Sequence, residues 1–368
     1  MDRPLQRLID QVRSAQASRS PVCIRGSGSK DFYGGPPAGT PLQVSELQGI
    51  CSYEPTEMVI TARAGTSLLE LEQALAEHGQ CLAFEPPRYG GGGTVGGMVA
   101  AGLAGPARAA VGGVRDFVLG LGMIDGRGEP LQFGGQVMKN VAGYDVSRVM
   151  AGSLGVLGVI TEISLKVPPV AAARQTLAMP LDQKSAIETV QRWTTAAMPV
   201  RASAWHSGTL HVRLEGAQAA VETGVQRLLG SHGATVLEPA AASVFWNHLR
   251  DQTGAFFGRN PTDTQRETPT KTLWRLSLPP AHPPLPTDGE TLVEWGGALR
   301  WLYSDAPASQ VRAMAAEAGG HATAFRGGHD RTAAFDALPP ALERIHRNLK
   351  AAFDPAGIFN PGRLYPWL

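Results

Sequence analysis

Gly90-Gly91-Gly92-Gly93-Thr94-Val95-Gly96-Gly97 opens, and Gly152-Ser153-Leu154-Gly155-Val156-Leu157-Gly158-Val159-Ile160-Thr161 closes, the stretch whose reading decides the fold. Twenty of the 44 glycines fall in the 69 residues from Gly90 to Gly158, too many for ordinary strands and helices. Glycine weakens regular structure but lets backbone run close against a ligand. Apolar, strand-like runs at 117–124 and 156–167 lie between and beyond these loops. Two readings are open at this point. One is a sheet whose loops present bare peptide N–H groups to an extended anionic cofactor; the other is a glycine-rich barrel with tight corners.

Upstream, Leu5, Leu8, Ile9 and Val12 recur at helical spacing and predict a helix within 1–18. Pro21-Val22-Cys23-Ile24 reads as a buried strand running into Arg25-Gly26-Ser27-Gly28-Ser29-Lys30. A Gly/Ser loop with flanking cations can nest an anion, although taken alone it reads as a plain turn. It is not a Walker loop, because the glycine spacing and the Ser/Thr after the lysine are missing. Nor is it a full dinucleotide fingerprint, since position 31 is Asp. A strand at 58–65 leads into a helix with Ser67 as cap, Glu70 three residues on, and Leu68, Leu71 and Leu75 as its buried stripe. Gly79 ends that helix, and 81–84 reads as a short strand stopped by Pro86-Pro87.

Downstream, Asp125-Gly126-Arg127-Gly128 predicts a hairpin after the strand at 117–124. A short helix at 146–150 precedes the second glycine loop, and the strand at 156–167 stops at Pro168-Pro169, where a domain boundary is expected. The second half changes character. Strands at 201–206 and 209–214, a helix at 217–230 and a strand at 234–238 recur in the same order at 291–296, 298–303, 307–318 and 321–325. That order predicts an antiparallel sheet with helices on one side. Residues 258–270 and 279–288 read as loops, and a last helix spans 340–352.

The 368 residues are enough for two domains with a full core. Net charge is +1, and both halves are balanced, so no basic face for nucleic acid is implied. Twenty-eight of the 44 glycines lie in the first 170 residues, and that shift marks the boundary. Cys23, Cys51 and Cys81 are widely spaced, which points to a reducing, cytoplasmic setting. An iron–sulfur site on this chain alone would need about four thiolates. The longest weakly polar run, 95–104, is too short to span a bilayer.

Four pieces in this order exceed chance glycine content: Arg25-Gly26-Ser27-Gly28-Ser29-Lys30, Gly92-Gly93-Thr94-Val95-Gly96-Gly97, Gly152 to Thr161, and Phe353-Asp354-Pro355 with Phe359-Asn360-Pro361-Gly362-Arg363. Together they resemble the FAD-binding domain of the vanillyl-alcohol-oxidase/PCMH family. Two further blocks narrow the resemblance: Ala100 to Pro106 with Gly113 to Gly120, and Val137-Met138-Lys139-Asn140-Val141-Ala142-Gly143-Tyr144-Asp145. They are similar to the FAD-binding E subunit of bacterial glycolate oxidase. The fold this implies is α+β: a PCMH-type two-lobed FAD-binding domain at 1–170, an inserted antiparallel α+β cap at 171–339, and a helix and tail at 340–368 returning to the first domain.

The resemblance also implies the site. Arg25, Gly26, Ser27, Gly28, Ser29 and Lys30, with Gly92, Gly93, Thr94, Val95, Gly96 and Gly97, would hold the pyrophosphate of FAD. Gly152, Ser153, Gly155, Gly158, Val159 and Ile160 would line the adenosine and flavin side, and Pro87 and Asn360 would approach the isoalloxazine ring. Arg115-Asp116 would steady the cofactor or form a structural ion pair. Lys139-Asn140 and Tyr144-Asp145 would brace the second loop. The first loop has no His, so binding is expected to be non-covalent.

The activity implied is oxidation of glycolate, and to some extent D-lactate, to the 2-oxo acid, with hydride passing to flavin and a base taking the hydroxyl proton. The expected partners are a second FAD-linked, catalytic subunit and an iron–sulfur subunit, with peripheral attachment to the inner membrane through that complex. No base is assigned on this chain, because the cap lacks the His pair with acids found in the related catalytic subunits. A stand-alone FAD-dependent 2-hydroxy-acid oxidoreductase and a flavin-free structural subunit are the alternatives. His206 and His211 could form a metal pair but read better as strand residues, so no metal is expected. His329 is the best lone candidate for contact with substrate or partner but reads better as a loop histidine bonded to a local Asp. His346 and Arg347 read as the solvated face of the last helix. Trp193, Trp246, Trp274, Trp295 and Trp301 read as cap core.

Overall fold

Asp2 starts the first helix by accepting from the Leu5 N–H at 3.1 Å, ahead of a proline in the first turn. The helix, α1 (Arg3–Ser18), buries Leu8, Ile9, Val12 and Ala15, and Arg19 ends it in the left-handed region. The structure, a computed structural model, describes residues 2–90, 92–135, 145–231, 233–258, 271–327 and 333–368. It divides into two compact units: Met1–Leu103, Gly113–Pro169 and Asp330–Leu368 form the first, and Ala104–Gly112 with Val170–His329 the second.

In the first unit, β1 (Val22–Arg25) pairs in parallel with β2 (Thr40–Gln43). A separate antiparallel sheet is built from β3 (Ile50–Glu54), β4 (Val59–Arg63), β5 (Val118–Ile124), β6 (Pro130–Gly134) and β7 (Val159–Lys166), in the order β3-β4-β7-β5-β6. Its core includes Ile60, Leu121, Met123, Ile163 and Leu165, each at most 1% exposed. The β5–β6 turn forms because the buried Asp125 carboxylate accepts from the N–H groups of Arg127 and Glu129 at 2.8 and 2.9 Å. Helix α2 (Leu68–Glu77) carries the Ser67 cap, whose hydroxyl accepts from Glu70 N–H at 3.1 Å, and buries Leu68, Leu71 and Leu75. Helix α3 (Val95–Ala101) follows the first glycine run and is capped by Thr94.

Two boundaries differ from the sequence reading. Residues 81–84 are a turn rather than a strand, held by the isolated Gln80–Pro169 bridge and closed by the Glu85 N–H to Leu82 carbonyl bond. β7 begins at Val159, not 156, because 154–157 are turn backbone, with Leu154 and Gly155 both at positive φ.

The second unit opens with α4 (Arg108–Val111). Its sheet has eight strands, all antiparallel: β8 (Ala173–Pro180), β9 (Val200–His206), β10 (Thr209–Gly216), β11 (Thr235–Val236), β12 (Thr272–Ser277), β13 (Thr291–Glu294), β14 (Leu299–Ser304) and β15 (His321–Arg326). The order, β11-β8-β10-β9-β13-β14-β12-β15, is two copies of one four-strand pattern joined tail to tail through β9 and β13. The repeated order seen in the sequence is therefore an internal duplication, and β8 and β12 are the members that reading missed. Trp193, Trp246, Trp274, Trp295 and Trp301 are all buried, at 2–8% exposure.

Helices stand on both faces, not one. Leu177, Met179, Leu210, Val212 and Leu214 pack beneath α6 (Gln183–Thr195) and α7 (Gln218–Leu229), and Val311 and Ala315 of α9 (Ala308–Glu317) cover the second copy. The side chains that alternate with them meet α8 (Pro239–Asp251) instead. There Trp246 Nε1 donates to Thr176 Oγ1 at 2.9 Å, Arg213 lies over the Trp246 ring, and His211 stacks on Phe245 with centroids 4.0 Å apart.

The last helix, α10 (Pro340–Phe353), returns the chain to the first unit. Beyond it, Val22 N–H donates to Ile358 carbonyl at 2.8 Å and Asn360 N–H to Val22 carbonyl at 3.0 Å, so the tail runs beside β1 as a parallel ribbon.

Candidate functional site

The loop after β1 is held open by what surrounds it. No described residue accepts a hydrogen bond from the backbone N–H of Gly26, Ser27, Gly28 or Ser29. Gly26, Gly28 and Ser29 are half-buried and Ser27 is exposed; successive donors left without a protein acceptor can nest an anion. Gly28 sits at φ +76°, and a Cβ there would lie 2.7 Å from Arg25 Nη2. Arg25 itself is paired with Asp31 at 2.5 Å, which offsets part of its charge.

The two glycine loops meet. A Cβ on Gly26 would stand 2.5 Å from Thr94 Oγ1, and one on Gly93 would stand 3.5 Å from Lys30 Nζ. The Lys30 ammonium thus lies between the loops, 5.7 Å above the Tyr89 ring. In the second loop the donors are divided. Val95, Gly96 and Gly97 N–H groups bond Thr66 carbonyl, Ala64 carbonyl and Thr94 Oγ1 at 2.9, 2.8 and 3.2 Å. Only the N–H groups of Gly93 and Thr94 donate to no described residue. The expectation that the whole run 92–97 offers bare amides is corrected: its glycines admit close backbone packing on Ala64, where a Cβ on Gly96 would stand at 2.7 Å.

The third loop hangs from the end of α3. Gly152 and Leu154 N–H groups donate to Val99 and Ala100 carbonyls at 3.0 and 2.8 Å, satisfying carbonyls that a helix end leaves open. The Ser153 hydroxyl beside them is buried and has no hydrogen-bond partner among the described residues. Residues from all three loops line two adjoining cavities. Arg25 to Asp31 line one, Gly96, Gly155, Gly158 and Ile160 line the other, and Gly26, Thr94, Gly97, Ala100, Leu154 and Asn360 line both.

The C-terminal tail fixes this arrangement. Asn360 is 4% exposed; its Oδ1 accepts from Ile24 N–H at 2.7 Å and its Nδ2 donates to Leu154 carbonyl at 2.6 Å. One amide therefore ties the first loop's strand to the third loop. Arg363, also buried, donates to the carbonyls of Lys30, Asp31 and Gly35. Lys350 Nζ reaches Val156 carbonyl, Phe359 carbonyl and Asp354 Oδ2, each at 2.8 Å, which uses all three ammonium donors. Burial pulls the Lys350 pKa down while Asp354 holds it up. The Asp354 carboxylate in turn accepts from Ile358 and Phe359 N–H. Sequence reading singled out the tail motif but assigned no role to Arg363, Asp354 or Lys350; charged residues inside an otherwise buried turn were the available signal. Cys23 also lines the first cavity, and burial pushes its thiol pKa up.

Other expected residues stand elsewhere. Pro87, Gly92, Gly93, Val95, Gly152, Ser153 and Val159 line neither cavity, although Gly93 faces Lys30 as described. Arg115 and Asp116 are exposed and line neither; Asp116 accepts from Gly113 N–H at 2.8 Å and makes no ion pair with Arg115. Asp145 pairs with Arg148 at 3.0 Å and accepts from Ser147, at the start of the short helix α5 (Val146–Val149). Lys139, Asn140, Tyr144, His329 and Gly91 lie outside the described residues. His206 bonds Glu290 at 2.8 Å, and burial lowers the His211 pKa to about 4. Arg347 is not simply solvated, since it lies over the Trp367 ring and pairs with Glu343.

The FAD binding domain family matches residues 5–134. Glycolate oxidase subunit GlcE of Escherichia coli K12 is 45% identical over 98% of this chain and 97% of its own. Glycolate oxidase subunit GlcD of Bacillus subtilis is 31% identical over 43% of this chain and 34% of its own. Among solved structures, alkyldihydroxyacetonephosphate synthase matches 97% of this chain and 75% of its own with a TM-score of 0.67 and 14% identity. The 4-ethylphenol oxidase of Gulosibacter chungangensis matches 99% of this chain and 88% of its own, with a TM-score of 0.69 and 13% identity, which speaks to the fold alone.

Proposed function

The chain belongs to the glycolate oxidase E-subunit family of FAD-binding oxidoreductase subunits, and from that membership we propose that it is the FAD-carrying subunit of a complex oxidising glycolate, and to some extent D-lactate. In this reading a second, FAD-linked subunit performs the substrate chemistry and an iron–sulfur subunit receives the electrons. The chain works in the cytoplasm, or peripherally at the inner membrane through the complex. No described helix is long and apolar enough to cross a bilayer.

The residues present fit FAD. A pyrophosphate needs converging donors without side-chain bulk, and the four uncommitted N–H groups of Gly26–Ser29 supply them. Lys30 supplies charge from between the loops. Thr94, Gly97, Leu154, Gly155, Gly158 and Ile160 form the walls along which the rest of the cofactor extends. Asn360 and Arg363 do not hold the cofactor in this account. Their donors and acceptors are engaged within the protein, and they hold the loops at their separation. The bound flavin supplies the capacity to accept and release electrons. The chain's own part is to bind it without a covalent bond, orient it and exclude water around the pyrophosphate.

The observation that carries the reading is the convergence of the three loops on one lined groove. Its test is a visible spectrum of the isolated chain before and after incubation with FAD. Yellow, protein-bound absorbance is expected, and extraction with acid should release all of it. A chain that gains no colour after reconstitution would instead be a structural subunit. Bleaching of its flavin by glycolate, with no other subunit present, would make it a self-sufficient oxidoreductase.

A further inference from the structure

Asp31 is a carboxylate standing inside a site built for anions. It lines the first cavity with Arg25 to Lys30 and Thr94, and it is the only acid among the described residues that do. Its Oδ2 lies 2.5 Å from Arg25 Nη2. Its N–H donates to Gly28 carbonyl at 3.1 Å, and its carbonyl accepts from the buried Arg363 at 3.2 Å. The backbone of Asp31 is therefore fixed on both sides. Its carboxylate can change partners without breaking either of those bonds.

Arg25 is placed for such an exchange. Its guanidinium lies against Gly28, where a Cβ would stand 2.7 Å from Nη2 and 2.9 Å from Nε. It thus sits beside the N–H groups of Gly26 to Ser29, which donate to no described residue. A phosphate drawn to those donors meets the guanidinium as well. The Arg25 and Asp31 side chains are 44% and 40% exposed, so solvent screens their pair and parting them costs little. A guanidinium that trades a carboxylate for a phosphate keeps charge-assisted hydrogen bonds of the same kind.

The Asp31 charge is also felt within the cavity. Cys23 lines the same space. Burial pushes its thiol pKa up; beyond that, Arg363 pulls it down, Asp31 pushes it up and Arg25 pulls it down. A carboxylate that opposes a thiolate there opposes a phosphate too. Of the cations lining the cavity, Arg363 is spent on carbonyls, which leaves Arg25 and Lys30 to meet an anion. Bracing the turn does not account for the acid, because backbone bonds already hold Gly28 to Asp31.

We infer that Asp31 sets the affinity of this site: its carboxylate competes with the cofactor's pyrophosphate for the Arg25 guanidinium and gives it up when the pyrophosphate binds. This rests on the reading of the three loops as an FAD site. Asp31 is a positioning residue, acting through Arg25 rather than by touching the cofactor. The flavin is consequently held several-fold less tightly than the loop itself allows.

The test is a fluorescence titration of the full chain, stripped of flavin, with FAD. Asp31→Asn keeps the shape and removes the charge, and it should tighten FAD binding several-fold. Asp31→Glu keeps the charge and should bind as the wild type does. Arg25→Gln should bind more weakly, and in that background Asp31→Asn should lose most of its gain, which a mere brace for the turn would not produce. If Asp31→Asn fails to fold, Asp31→Ser also removes the charge and carries the test. Three results overturn the competition and leave the FAD reading intact: unchanged affinity in Asp31→Asn, weaker binding by it, or a gain that persists in full without Arg25. A wild-type chain that binds no FAD overturns both.

Discussion

Asn360 and Gly28 hold the candidate site from opposite directions, one by hydrogen bonds and one by backbone. Asn360→Ala leaves Ile24 N–H and Leu154 carbonyl unpaired in a buried setting, a cost of about 1–3 kcal/mol for each group so stranded. A lower Tm is expected, together with FAD affinity at least tenfold weaker, read by fluorescence titration. Gly28→Ala meets two penalties. Its φ of +76° costs an L residue about 1–2 kcal/mol, and its Cβ crowds the Arg25 guanidinium. Gly49→Ala is the control, because Gly49 also has positive φ but a Cβ there meets nothing within 4 Å. Both variants should lose stability, and only Gly28→Ala should lose FAD affinity as well. Equal FAD affinity in the two would show that the loop after β1 does not touch the cofactor.

His211 gives a residue-scale pH signature in the second unit. Burial against Phe245 lowers its folded pKa to about 4 from an ordinary 6.5. Between those values the unfolded chain takes up a proton that the folded chain refuses, so stability falls as pH falls from about 6.5 to about 4. Above 6.5 the effect vanishes. Melts of wild type and His211→Gln across that range should converge towards pH 4, with the variant showing the shallower acid slope. Parallel curves would mean that His211 accepts its proton without cost.

At the scale of elements, the site depends on a tail that is far from it in sequence. The 358–360 segment completes the β1 ribbon, and Lys350, Asp354 and Arg363 fasten it to two loops. A chain truncated after Phe353 should therefore bind FAD at least tenfold more weakly, even though every cavity-lining glycine remains. Unaltered FAD affinity in that truncation would reduce the tail to a passive cover.

Much of this was legible in the sequence and some was not, for physical reasons. The capped α2, the Asp125 hairpin and the duplicated strand order announce themselves through local chemistry. The glycine loops were legible as places of close backbone approach. What approaches them was not: Gly96 packs on Ala64 and gives its N–H to the protein, while Gly26 and Gly28 keep theirs. Glycine content alone cannot tell a neighbouring strand from a ligand. The helix on the second face of the eight-stranded sheet was missed because its warrant is long-range. Trp246 reaches Thr176 from 70 residues away, and no local period records that.

At the scale of the whole molecule, a PCMH-type FAD-binding fold is joined to a duplicated antiparallel sheet. In the proposed reading, the substrate chemistry belongs to a second subunit. The isolated chain should therefore bind FAD but reduce it slowly with glycolate, and the reconstituted assembly should reduce it at least tenfold faster in a stopped-flow mixing experiment. Equal rates would return the substrate chemistry to this chain.

The most direct measurement is an experimental structure of the chain with FAD bound. The account predicts pyrophosphate oxygens within about 3 Å of the N–H groups of Ser27, Gly28 and Ser29, with Lys30 beside them and Asn360 still bridging Ile24 and Leu154. A pyrophosphate seated elsewhere, with those three amides turned to solvent, would contradict it.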